Sequence, residues 1–109
     1  MTQPYSLIMT TFPTEDAAND MGKTLVQSPH LVACSQVSGP IQSTYIWKGS
    51  LEISTEWRLL LKTITPNVEP ILQAIKQAHS YDVPELIVLP FSDGDSDYLE
   101  WLSSRCSTA

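Results

Sequence analysis

The run from Leu51 to Ile64, Leu-Glu-Ile-Ser-Thr-Glu-Trp-Arg-Leu-Leu-Leu-Lys-Thr-Ile, constrains this chain more than any other segment. It begins as an alternation of apolar and polar residues and turns more continuously apolar toward its end. That is the pattern of one long strand, open to bending, whose far end is the more deeply covered. A strand of that length in a chain of 109 residues must form the centre of a sheet or find a partner for its edge. Everything else has to pack around it.

The flanking segments predict the rest of such a sheet. Tyr5 to Thr11 reads as a short strand. Pro13 and Thr14 then supply a turn and a helix N-cap, with Glu15 and Asp16 in the first turn, where the helix dipole favours carboxylates. Ala17, Ala18, Met21 and Leu25 recur at helical spacing until Ser28-Pro29 ends the helix. Leu31 to Val37 and Thr44 to Trp47 read as two strands separated by a break at Ser38-Gly39-Pro40, and Lys48-Gly49 supplies a hairpin-like turn. After Thr65-Pro66, Asn67 is positioned to cap a second helix carrying the stripe Val68, Ile71, Leu72, Ile75 and Ala78 and ending near His79. Glu85 to Phe91 reads as a strand, Ser92 to Ser96 as a loop, and Asp97 to Arg105 as a short terminal helix docked by Tyr98, Leu99, Trp101 and Leu102.

This order predicts an α+β fold, the ferredoxin-like split βαβ sandwich. It is an antiparallel sheet with both main helices on one face and a short C-terminal helix, in one domain over residues 1–109. At this size folding buries about two-thirds of the surface that the unfolded chain exposes. Trp47, Trp57 and Trp101 fall on or beside predicted edge elements. Large aromatics are enriched in interfaces and a long edge strand needs cover, so oligomerisation is expected.

Several classes of function are disfavoured. The six Lys and Arg residues are scattered among twelve acidic ones, for a formal net charge of -6, so no cluster exists to neutralise several phosphates, and nucleic acid is not an expected partner. No secretory pattern and no run of about eighteen apolar residues is seen, which points to the cytoplasm and away from a membrane. Cys34 and Cys106 form neither a C-x-x-C pair nor a disulfide framework and read as reduced thiols. The acidic stretch Asp93-Gly94-Asp95-Ser96-Asp97 begins like a calcium loop, but Tyr98 stands where such a loop needs Gly and Ser104 where it needs Glu. Gly22, Gly39, Gly49 and Gly94 stand alone, and His30 and His79 have no nucleophile in a recognisable context, so catalysis is not expected.

One segment brings varied chemistry together. In His-Ser-Tyr-Asp-Val-Pro-Glu, residues 79–85, an imidazole, a phenol and a carboxylate sit between a helix and a strand. Imidazole and carboxylate suit copper or zinc. A histidine at that place also fits a role at the helix C-terminus, bonding the dipole or a nearby carbonyl.

The same segment, HSYDVPELIVLP, followed by GDSDYLEWL, resembles the C-terminal signature of the CutA family of divalent-cation tolerance proteins. Leu31-Val32-Ala33-Cys34 is similar to that family's Leu-x-Ala-Cys strand, and TYIWKGSLE with Leu61-Lys62-Thr63 to its hairpin and long strand. The likeness runs over essentially the whole chain, with the motifs in order. It implies a homotrimer with long strands continuing a neighbour's sheet. It further implies an intersubunit cleft marked by Cys34, Tyr45, Trp47, Lys62, Tyr81, Tyr98 and Trp101, with Gly49 and Pro84 as shape residues.

The resemblance also makes His79 and Glu85 the candidate metal ligands, for copper(II) or another divalent cation, with Tyr81 orienting them and the site completed across subunits. The chain departs from some members in having Thr10 where they carry Cys, and Ser80 where Pro is common. The alternative function is that of a PII-like trimeric regulator or interaction scaffold. Its clefts would bind a small anion, a nucleotide or a partner loop, and Arg58 and Lys62 would then matter more than His79.

Overall fold

The computed structural model describes residues 3–108. The long strand is present as β3, Ser50–Ile64, and it lies inside a four-stranded antiparallel sheet. Its neighbours are β1, Tyr5–Phe12, and β2, Cys34–Trp47, while β4, Ile87–Phe91, pairs with the far side of β1, for a spatial order β2-β3-β1-β4. This is the ferredoxin-like order. Helix α1, Glu15–Gln27, links β1 to β2; helix α2, Val68–Ala78, links β3 to β4; and helix α3, Ser96–Arg105, follows β4.

Local chemistry accounts for the helix ends. Thr14 Oγ1 accepts from the Ala17 backbone N–H at 3.1 Å, the predicted cap, and Asp95 caps α3 by accepting from Tyr98 N–H at 3.0 Å. Ala18, Met21 and Leu25 of α1 and Ile71 and Ile75 of α2 meet Ile8, Leu59 and Leu61 of the sheet in one core. Fully burying an aliphatic side chain of this size contributes about 1.5–3 kcal/mol. The apolar second half of β3 lies over this core.

Three local readings are corrected. The expected break at Ser38-Gly39-Pro40 does not separate two strands: β2 is continuous through it, with a register shift between Ser38 and Ile41 that absorbs one extra residue as a bulge. Glycine is required there because a Cβ on Gly39 would meet the Trp57 indole at 2.6 Å. Residues 31–33 precede the strand, which begins at Cys34, although Ala33 N–H already bonds Lys62 O at 2.9 Å. In the same way β4 begins at Ile87 and not at Glu85.

Asn67 makes no side-chain cap, since a 3-10 turn over Thr65–Asn67 leads directly into α2. Its amide is buried and donates to Leu31 O at 3.0 Å and Ser107 O at 2.6 Å. Ser107 N–H in turn bonds His30 O at 2.8 Å, so the segment after α3 is tied to the entrance of β2.

β1 pairs with β3 only over Trp57–Ile64. The other half of β3 pairs with β2 alone and forms a two-stranded arm. Ile46, Leu51 and Ile53 on this arm are 66%, 65% and 59% exposed, and Trp47 is also exposed. Trp101 is exposed as well, whereas Trp57 packs against the core.

Candidate cation-binding cleft

Where the arm leaves the body of the sheet, an open cleft of about 620 Å³ forms. Its walls come from the end of β1 (Thr11), from the arm (Ser43, Thr44, Tyr45, Trp47), from β3 (Glu56), and from the connection between α2 and β4 (Tyr81 to Glu85). Proline at position 84 and the turn that follows His79 bring this connection back over the sheet.

His79 anchors the connection from behind. It is the C-cap residue of α2, and its ring stacks on Phe12 with centroids 4.4 Å apart and planes 15° apart. Nε2 lies 2.6 Å from Thr11 O, and Nδ1 lies 3.1 Å from the backbone nitrogen of Tyr81. A carbonyl can only accept and an amide N–H can only donate. The ring is therefore neutral, with its proton on Nε2: Nε2–H donates to Thr11 O and Nδ1 accepts from Tyr81 N–H. Both nitrogens are engaged inside the chain, and His79 does not line the cleft.

Tyr81 leans on His79, with ring centroids 4.6 Å apart, and reaches across to β3, where its hydroxyl donates to Glu56 Oε2 at 3.0 Å. Burial, then the hydrogen bond to Glu56 and the charges of Glu56 and Tyr45, push the Tyr81 phenol up to about 12. Glu56 is only 7% exposed. Asp82 and Glu85 stand exposed on the same cleft, so three carboxylates line it with no Lys, Arg or His. Higher on the arm, Tyr45 Oη and Ser54 Oγ are 2.9 Å apart.

The residues expected to mark one cleft divide into two groups within the chain. Tyr45, Trp47, Tyr81 and Glu85 line the cleft. Cys34, Lys62, Tyr98 and Trp101 gather elsewhere: Cys34 is the register partner of Lys62, Lys62 Nζ sits 5.7 Å from the Tyr98 ring centroid, and Tyr98 and Trp101 are tilted 5.6 Å apart. Lys62 is six positions beyond Glu56 on β3, about 20 Å at strand rise. Arg58 and Lys62 are both outside the cleft lining. Thr10 is fully buried, and it is its neighbour Thr11 that reaches the cleft.

Glu56 escaped sequence reasoning, because a glutamate in an alternating strand reads as solvent-facing. Its burial depends on Tyr81, 25 residues away in sequence. Among the described residues no group of three or more His, Cys, Asp or Glu side chains gathers closely enough to hold a metal ion unaided. Asp93 and Asp95, in the stretch that begins like a calcium loop, accept instead from the backbone N–H groups of Gly94 and Tyr98.

Comparison with known proteins agrees with this architecture along nearly all of its length. Residues 6–105 match the family model described as CutA1 divalent ion tolerance protein. A divalent-cation tolerance protein CutA from Pectobacterium atrosepticum is 40% identical over 98 residues, which are 90% of this chain and 88% of that protein. The crystal structure of CutA1 from Oryza sativa superposes with a TM-score of 0.92 at 31% identity, covering 99% of this chain and 98% of that one. The divalent cation tolerance protein from Thermus thermophilus superposes with a TM-score of 0.89 at 32% identity, covering 94% and 99%. With its motifs, strand order and near-complete coverage in agreement, this chain belongs to the CutA1 divalent ion tolerance protein family.

Proposed function

We propose that this chain serves tolerance of, and response to, divalent metal ions by binding the cation itself, copper(II) foremost, as a cytoplasmic homotrimer with no catalytic step. The charge of the cleft carries this reading: Glu56, Asp82 and Glu85 line one concavity and no cationic side chain does. Such a surface attracts cations and repels anions. It favours a cation over the anionic ligand of a PII-like regulator, which Arg58 and Lys62 would have had to hold from outside the lining.

Glu85 supplies a carboxylate ligand from the exposed rim. His79 supplies an imidazole only by exchanging one of its two hydrogen bonds for the metal. Ligation at Nδ1 releases Tyr81 N–H and so loosens the segment that carries Glu85. With too few ligands gathered among the described residues of one chain, a complete coordination shell draws on a neighbouring subunit. The exposed apolar arm and the long edge strand β2 support such an assembly, which covers both. The free thiols at Cys34 and Cys106 support a reducing compartment.

The test is calorimetric titration of the protein with copper(II) against a weak competing chelator, beside Glu85→Gln and His79→Ala, with the mass in solution measured by light scattering. One equivalent per subunit, lost in both variants and bound by a trimer, supports the reading. Binding no tighter than the competitor's removes copper(II), and intact binding in both variants removes these ligands.

A further inference from the structure

The cleft is larger and more aromatic than a metal ion requires. A water-sized ligand accounts for about 30 Å³, while the cleft holds about 620 Å³. Three rings, Tyr45, Trp47 and Tyr81, line it together with the three carboxylates. Metal coordination makes no use of ring faces. A cation borne on a carbon framework does: an ammonium group over a tryptophan or tyrosine face gains roughly 0.5–1 kcal/mol at an exposed site and about 2 when desolvated. Its methylene groups gain by covering the same rings.

Glu56 supplies the independent indication of a ligand. More than nine-tenths of the residue is buried, Tyr81 Oη occupies Oε2, and no described group donates to Oε1. Oε1 is the carboxylate oxygen left free for a ligand, and no cationic side chain of the described residues lines the wall around it. A bulky hydrated metal ion meets it poorly. A primary ammonium group on a narrow alkyl chain can enter beside Tyr81 and donate to Oε1, leaving further ammonium groups for exposed Asp82 and Glu85.

We infer that the cleft binds a small aliphatic polyamine, with one ammonium group on Glu56, another on the rim carboxylates, and the alkyl chain lying along Trp47 and Tyr81. The inference rests on the reading of the cleft as a cation site and adds a second kind of cation. Because the amine and a metal draw on the same carboxylates, they compete.

Spermidine is the probe, titrated calorimetrically into the protein at constant ionic strength, with magnesium as a cation without a carbon framework. The variants are Glu56→Gln, which keeps the shape of the buried side chain, and Trp47→Ala, which lies outside the core of the single chain, each with its mass in solution measured so that loss of the assembly is told apart from loss of the ring. Saturable binding at one site per subunit, weakened about tenfold or more by each variant and not reproduced by magnesium, is the expected result. Undetectable binding, equal binding by magnesium, or affinity unchanged in Trp47→Ala overturns it. The copper(II) titration separates the two readings. Copper binding without spermidine binding leaves the metal function standing and removes this inference, and spermidine binding without copper binding does the reverse.

Discussion

Tyr81 and Glu56 are joined across 25 residues of sequence by one hydrogen bond of 3.0 Å, and through it the connection after α2 is latched onto β3. Burial first, and then this bond and the Glu56 charge, hold the phenol at about 12 against an ordinary 10.0. In Glu56→Gln the charge disappears while the burial remains. The Tyr81 midpoint falls toward its ordinary value without reaching it, as read from tyrosinate absorbance in the difference between each protein and its Tyr81→Phe counterpart.

The same shift makes stability depend on alkaline pH. Between the ordinary value of 10.0 and about 12 the folded chain keeps the Tyr81 proton and the unfolded chain has released it. The contribution is therefore complete below the ordinary value and is lost as pH rises through that window. Urea midpoints measured across it decline more steeply for the parent than for Tyr81→Phe.

Replacing His79 by Ala removes the acceptor for Tyr81 N–H, the donor to Thr11 O and the ring stacked on Phe12. Loss of the hydrogen bonds alone is worth about 1–3 kcal/mol where a partner stays buried. His79→Phe restores the stacking but not the bonds, so its denaturation midpoint falls between those of the parent and the alanine variant. In both variants the Tyr81 phenol titrates closer to its ordinary value, because its backbone anchor is gone.

Thr10 is a place where the chain can be improved. Its hydroxyl is wholly buried and has no hydrogen-bond partner. An unsatisfied buried hydroxyl costs about 1–3 kcal/mol, and valine supplies a methyl group in nearly the same volume. Thr10→Val raises the unfolding free energy by about 1 kcal/mol, measured by urea denaturation.

Gly22→Ala goes the other way. In an open helix alanine is better than glycine by about 0.8–1 kcal/mol. Here the new Cβ would lie 2.9 Å from Ser35 Cβ and 3.3 Å from Leu59 Cδ1, and the first of these cannot rotate away. Overpacking of that kind costs about 1–3 kcal/mol, so it outweighs the propensity gain and the thermal midpoint falls.

The order of elements was legible because it depends on local signals. Thr14, the 3.6-residue spacing of Ala18, Met21 and Leu25, and the alternation in β3 each report on the chain within a few residues. What escaped was set by contacts distant in sequence. Gly39-Pro40 reads as a strand break until β3 is seen to carry β2 through it as a bulge. Asn67 reads as a helix cap because the carbonyls it meets, Leu31 and Ser107, are 36 and 40 residues away. Within the cleft, Tyr45, Trp47, Tyr81 and Glu85 were named in advance through family motifs. Glu56 was not, since only the folded chain brings a tyrosine over it.

β3 carries two unlike cargoes on its two faces. Leu59, Leu61 and Thr63 point into the core, and Glu56, three positions before Leu59, falls on the opposite side of the pleat. A slip of one residue would turn the leucines outward and Glu56 inward together. The position of the cleft carboxylate is thus policed by oil: any displacement of Glu56 along the strand must first drag two leucines into water. An insertion at the tip, Lys48-Gly49, leaves this ruler untouched, whereas a single residue inserted between Glu56 and Leu59 would ruin the binding surface and the core at one stroke.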